Sequence, residues 1–278
     1  MFLPFARGVC GGLSVRDVAK RCVVVAAAVI SFDTAAAVSE SLPLYDAASA
    51  VLPDASPWSW TYGSDSSGSS RNMTPSLPLA AVLDTRLSAG AAGYGKIVGA
   101  GLDSSTGFVI DFSLRVVEET HANGDLGTRS GFSIIVLDQA KKGVELSFWT
   151  NQVFAKIADY GFPHGDGISV DAQTSARNYR VTFLSGQYTL VTEGAPPLAG
   201  VLSNYAPFVQ FPYNVVPYGQ ANYIFFGDNT TSASALVELS SITLAPVPEP
   251  GEWALMAAGL VCIAGAVRRR RRGMPAAC

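Results

Sequence analysis

Apolar and polar positions alternate along much of the chain, most clearly beyond residue 100. In 107–117, Phe108, Ile110, Phe112 and Leu114 fall on one face, with Asp111, Ser113 and Arg115 on the other. In 144–150, Val144, Leu146 and Phe148 oppose Glu145, Ser147 and Trp149. The stretch 131–137 is apolar on both faces, with Phe132, Ile134 and Val136 set against Ser133, Ile135 and Leu137, and reads as a more buried strand. Segments 178–184 and 187–192 are joined by Ser185-Gly186, a hairpin signal because glycine tolerates the positive φ of a primed turn. Strands 223–226 and 235–244 close the set, and 42–45, 79–83 and 95–99 are weaker candidates. Helix is expected only as a short piece around Tyr205. The Ser-, Pro-, Gly- and Trp-rich 53–78 reads as a long excursion. Period-2 strands with no amphipathic helices between them predict two packed antiparallel sheets, an all-β sandwich or jelly roll in one domain.

Both ends of the chain break this pattern. Arg7, Arg16, Lys20 and Arg21 precede the apolar core 23–30 and the small residues Ala35, Ala36 and Ala37, the order of a signal peptide 1–37 removed by signal peptidase. At the other end, Pro248-Glu249-Pro250 leads into the apolar 253–267, followed by Arg268, Arg269, Arg270, Arg271 and Arg272. Fifteen residues rise about 22 Å as a helix, short for a membrane span. The arginines favour the cytoplasmic side and extend the reach by snorkelling, so the helix is expected to hold the inner membrane transiently.

The domain left between them is 38–247. Its charge is more informative than that of the whole chain: 18 acidic against 10 basic residues, a net of about −8, with no basic stripe. That excludes nucleic-acid binding. The four cysteines, Cys10, Cys22, Cys262 and Cys278, all lie outside it. The domain is therefore held by its core rather than by disulfides, and thiol catalysis is excluded.

The segment 248–278 resembles the PEP-CTERM sorting signal of Gram-negative bacteria, carried by the tripeptide, the short apolar helix and the basic cluster in that order. The resemblance implies an exosortase-type processing enzyme as partner, cleavage near the motif and delivery to the cell surface or extracellular matrix. It also implies a setting of exopolysaccharide production. The block 102–244 resembles the concanavalin A-like lectin/glucanase jelly roll of laminin-G-type and legume-lectin-type domains. The carrying pieces are Leu102-Asp103-Ser104-Ser105-Thr106-Gly107-Phe108, 131–137, 144–149, Tyr179-Arg180-Val181-Thr182 and Phe226-Gly227-Asp228-Asn229-Thr230. That fold usually pairs its first and last strands, which puts 42–45 beside 241–244.

Glucan-cleaving members of this fold carry carboxylates at alternate positions of one strand, as Glu-x-Asp-x-(x)-Glu. This chain lacks that motif; Glu145 with Asp111 is the remaining pair if their strands adjoin. His121, near Glu119, reads as an exposed turn residue. His164 sits in the glycine-rich Phe162-Pro163-His164-Gly165-Asp166-Gly167, a loop between strands able to touch a ligand. Trp149 beside Glu145 and Asn151 suits stacking on and hydrogen bonding to a sugar, with Arg115 and His164 as further contacts. A plug of loops over the same face is the opposing reading. Asp166 with Asp171, and Asp228 with Asn229, are candidate calcium ligands, since calcium takes carboxylate and amide oxygens from loops. The expectation is an exported, non-catalytic surface protein with weak carbohydrate or protein binding and surface polysaccharide as partner. The alternatives are a divergent polysaccharide hydrolase or lyase, and a purely structural surface protein.

Overall fold

The computed structural model describes residues 41–49, 51, 53, 58–61, 73–76, 80–86, 92–99, 101–121, 129–159, 161–210 and 217–247. The expected signal peptide 1–37 and sorting segment 248–278 lie outside them. In chain order the strands are β1 (Leu42–Asp46), β2 (Ser59–Thr61), β3 (Met73–Ser76), β4 (Ala80–Asp84), β5 (Ala92–Ile97), β6 (Phe108–Thr120), β7 (Ser133–Leu137) and β8 (Lys142–Phe148). They continue with β9 (Gln152–Lys156), β10 (His164–Ser169), β11 (Arg177–Leu184), β12 (Gln187–Thr192), β13 (Leu198–Val201), β14 (Ser203–Asn204), β15 (Tyr223–Asp228) and β16 (Ser234–Pro246).

Two antiparallel sheets result. The first runs β13-β12-β11-β6-β16-β4-β3, and the second β10-β9-β8-β7-β15-β5-β2, with β14 on β8. The long strand β16 pairs with β6 from Ser234↔Thr120 to Pro246↔Phe108. Its other edge is shared: β4 takes Leu236 to Leu239, and β1 takes the end, from Leu42↔Leu244 to Asp46↔Ser241. The first and last strands therefore meet as expected.

Alternation decides the core. Ile110, Phe112 and Leu114 of β6 and Tyr179, Val181 and Phe183 of β11 point inward, toward Ile134 and Val136 of β7, Leu146 and Phe148 of β8 and Ile224 and Phe226 of β15, all buried. Phe112 stacks on Tyr179 at 5.2 Å and meets Phe148 edge-on at 5.9 Å. Such pairs add about 0.5–1.5 kcal/mol each beyond their buried area. Trp58 packs edge-on against Phe226 and donates its indole N–H to the Leu44 carbonyl, tying the start of the sandwich to its centre. The β11–β12 hairpin turns through Ser185 and Gly186, both at positive φ (53° and 74°), as a primed turn demands.

The structure departs from the sequence pattern at several places. The 53–78 excursion contributes β2 and β3, and the glycine-rich stretch expected as a loop forms the edge strand β10. A Cβ at Gly165 would lie 2.7 Å from the Ala155 carbonyl oxygen, and one at Gly167 2.8 Å from the Phe154 Cβ. Glycine is used there for close approach to β9, not for a turn. Among the described residues helix is limited to short 3-10 turns, including Ala206–Gln210 just after Tyr205. Among the described residues no helix is long and apolar enough to cross a membrane.

Candidate functional site

The outer face of the second sheet carries an unusual polar cluster. Glu145, Ser147, Ser133, Phe154 and Lys156 occupy it because their neighbours Leu146, Ile134 and Ala155 face the core and alternate residues share a face. Glu145 is 1% exposed. Its carboxylate accepts from Tyr218 Oη at 2.5 Å, Asn229 Nδ2 at 3.1 Å and Ser133 Oγ at 3.2 Å. Its backbone N–H donates to Tyr205 Oη at 3.1 Å. Asn229 Nδ2 also donates to Tyr218 Oη. Burial and the neighbouring Glu145 charge both push the Tyr218 hydroxyl well up, so it stays protonated and remains a donor.

The cover comes from later in the chain. Tyr205 and Tyr218 stack at 5.1 Å, and Phe162 stacks on Tyr218 at 4.8 Å. With Phe208 they pack on Ile135, Leu137, Tyr223 and Phe225 as a second apolar cluster. Glycine makes room for it: a Cβ at Gly93 would lie 2.5 Å from the Phe225 ring. Lys156 is buried within this face, with its ammonium 5.0 Å from the Phe154 ring. Burial pushes it down to about 8, against the pull of Glu145 and helped by Arg129. The Arg129 guanidinium sits 5.3 Å over Phe162, and its charge reaches Tyr218 and Asp228 as well.

Beyond the cover the face is half-exposed and aromatic. Trp149 follows the end of β8, meets Phe154 edge-on at 4.9 Å and donates its indole N–H to the Arg129 carbonyl at 3.4 Å. His164 stacks on Phe154 at 3.9 Å and lies 5.6 Å from Trp149. Its Nδ1 bonds the Gly165 carbonyl at 2.6 Å, and its Nε2 lies 3.3 Å from Gln152 Oε1. Burial lowers the His164 pKa, with the nearby Lys156 charge acting in the same direction. The shift favours the uncharged ring, and with Nδ1–H given to the carbonyl, Nε2 is the basic nitrogen when the Gln152 amide turns its NH2 rather than Oε1 toward it.

The sequence-predicted residues are thus partly gathered. Trp149 and His164 adjoin, with Asn151 exposed in the turn between β8 and β9. Glu145 shares the face but lies beneath Tyr218. Arg115 is on the first sheet, bound to the Gln173 carbonyl and Glu238. Asp111 is there too, in a bidentate pair with Arg180 at 2.7 and 3.0 Å, so Glu145 and Asp111 form no catalytic pair. His121 is not a free turn residue, because its ring stacks on Trp149. Sequence reading missed Tyr205, Tyr218, Lys156, Arg129 and Gln152, whose convergence depends on strand order.

The calcium candidates do not assemble a donor set. Asp171 accepts from the backbone N–H groups of Gln173 and Thr174, while Asp166 is exposed on β10. Asp228 is buried, accepts from Thr230 N–H and Oγ1, and is pushed up to about 7 by burial. Asn229 gives its Nδ2 to Glu145 and Tyr218, while its Oδ1 is buried without a hydrogen-bond partner among the described residues. Among the described residues no group of three or more His, Cys, Asp or Glu side chains is placed to hold a metal ion.

No protein-family model and no curated protein matches the chain. The expected PEP-CTERM and exosortase-substrate assignment, drawn from Pro248, Glu249, Pro250 and the arginine cluster, thus finds no support. The expected membrane helix 253–267 lies outside the described residues, and among those no helix is long and apolar enough to cross a membrane. Solved structures do match. A carbohydrate esterase from a Shiga toxin-encoding bacteriophage aligns with TM-score 0.46 and 12% identity, over 70% of this chain and 92% of that one. Alginate lyase A1-II′ aligns with TM-score 0.41 and 14% identity, over 70% and 96%. The exoplasmic/lumenal domain of VIP36, in a calcium- and mannose-bound form, aligns with TM-score 0.36 and 10% identity, over 69% and 84%.

The described chain is an all-β, two-sheet antiparallel sandwich, and the structures it matches share a jelly-roll-like sandwich. The likeness is one of fold, and the matched structures range from carbohydrate-active enzymes to the receptor-binding domain of a botulinum neurotoxin. Against the expectation of a non-catalytic protein, the matched structures include a carbohydrate esterase and an alginate lyase.

Proposed function

We propose that the protein is an exported enzyme that cleaves an acidic polysaccharide by β-elimination, at the open end of the second sheet's outer face. The observation that carries this reading is His164: an imidazole fixed at Nδ1 by the Gly165 carbonyl, with the Gln152 amide group at Nε2 and Trp149 alongside. Hydrolysis by paired carboxylates is disfavoured because Glu145 is sealed and Asp111 is on the other sheet. Elimination needs no such pair. It needs a base for the proton beside a uronate carboxylate and positive or amide groups to neutralise that carboxylate. His164 Nε2 is the base, Gln152 is the amide, and Arg129 and Lys156 bias the field toward an anionic sugar.

The test is incubation with polyuronates and with neutral β-glucan, monitored by the ultraviolet absorbance of the unsaturated product. Cleavage of a polyuronate is expected, falling about 10²–10⁴-fold in His164→Ala, the usual contribution of a positioned general base. No cleavage by the unaltered protein across the panel, or full activity in His164→Ala, overturns the reading.

A further inference from the structure

The site contains a second imidazole that the base assignment leaves unused. His121 follows the last residue of β6, and its Nδ1 lies 3.0 and 3.1 Å from the two oxygens of Glu119, whose side chain is 3% exposed. Its ring is parallel to Trp149 within 13° at a centroid distance of 4.2 Å, while the side chain remains 31% exposed. A buried carboxylate and an indole together fix the ring in one orientation. Nδ1–H is committed to Glu119, so Nε2 is the nitrogen that exchanges a proton. His164 lies against the same indole. One indole therefore holds two imidazoles, one anchored by a carbonyl and the other by a carboxylate.

Resting on the eliminative reading above, we propose that His121 is the catalytic acid that protonates the departing glycosidic oxygen. His164 Nε2 removes the C5 proton of the uronate, and that C–H pair becomes the C4=C5 double bond. The C4–O bond breaks with its electrons on oxygen, which takes the proton from His121 Nε2. Solvent then removes the proton from His164 and returns one to His121, so no oxidant or further reactant enters. The titratable neighbours differ accordingly: Glu119 faces His121, whereas Lys156 faces His164.

The test compares a polyuronate with a 4-deoxy-4-fluoro uronide, whose fluoride leaves without needing a proton. His121→Phe keeps a ring on Trp149 but carries no proton, and His121→Asn is the companion; unchanged thermal midpoints verify folding. Both are expected to lose about 10²–10³-fold in turnover on the polymer while staying within about threefold of the parent on the fluoride. His164→Ala should lose both. Undiminished polymer cleavage by His121→Phe overturns the proposal, and so does an equal loss on both substrates, which marks a structural ring. Inactivity of the unaltered protein on both substrates instead defeats the eliminative reading itself, and this assignment with it.

Discussion

Replacing Tyr218 with phenylalanine removes one oxygen atom and leaves the ring stack with Tyr205 and Phe162 intact. What changes is the satisfaction of Glu145, which the described structure supplies with three side-chain donors, from Tyr218, Asn229 and Ser133. Asn229 loses an acceptor in the same step. A hydrogen bond to a charged group is worth about 1.5–3 kcal/mol, and at 1% exposure no bulk water replaces it. Tyr218→Phe is therefore expected to cost about 2–3 kcal/mol. For a domain of this size that lowers the thermal midpoint by roughly 4–12 °C. Equilibrium urea unfolding gives the free energy, and Glu145→Gln with the double variant completes a cycle whose coupling should exceed about 1 kcal/mol. A cost below about 0.5 kcal/mol with additive single changes refutes the buried network and means that water reaches Glu145.

Two further outcomes are expected. Asp228 has a folded-state pKa of about 7, raised from 3.8 mainly by burial, so the native state binds more protons than the unfolded chain between those values. Its contribution is fully present below about pH 4 and is lost as pH rises through 7; Asp228→Asn should flatten that decline in urea midpoints measured from pH 4 to 8, and an unchanged slope rejects the assignment. Gly143→Ala places a Cβ 1.8 Å from the Val136 carbonyl oxygen across β7 and β8. Because backbone, not a flexible side chain, must yield, the expected loss is about 3 kcal/mol in the same assay, and a neutral variant contradicts the register.

The fold was legible where one physical rule dominates. In β6, β8 and the β11–β12 hairpin a single buried face imposes strict alternation, and Ser185-Gly186 carries its own turn chemistry. Legibility failed where glycine replaced the apolar signal, as in β10, and where strands were too short to show a period, as in β13 and β14. The candidate site was half legible. Trp149, Glu145 and Asn151 are close in sequence, and their grouping followed from strand parity. Tyr218 lies 73 residues from Glu145, and only the order of β8, β7 and β15, together with the segment crossing them, brings it there. His121 escapes a sequence reading for the same reason: in sequence it follows β6, and Trp149, which holds its ring, follows β8, two strands on.

The position of β16 has a consequence for how the molecule comes into being. The strand nearest the end of the described chain lies inside the first sheet, with β6 on one edge and β1 and β4 on the other. Until it arrives, β6 lacks its longest ladder, and β1 and β4 have no strand that joins them to the sheet. The earliest strand must therefore wait for nearly the whole polypeptide before it finds its permanent place. Closing loops of that length is slow. A nascent or partly threaded chain consequently stays open rather than locking prematurely. Assembly of the sandwich is timed by the arrival of its last strand.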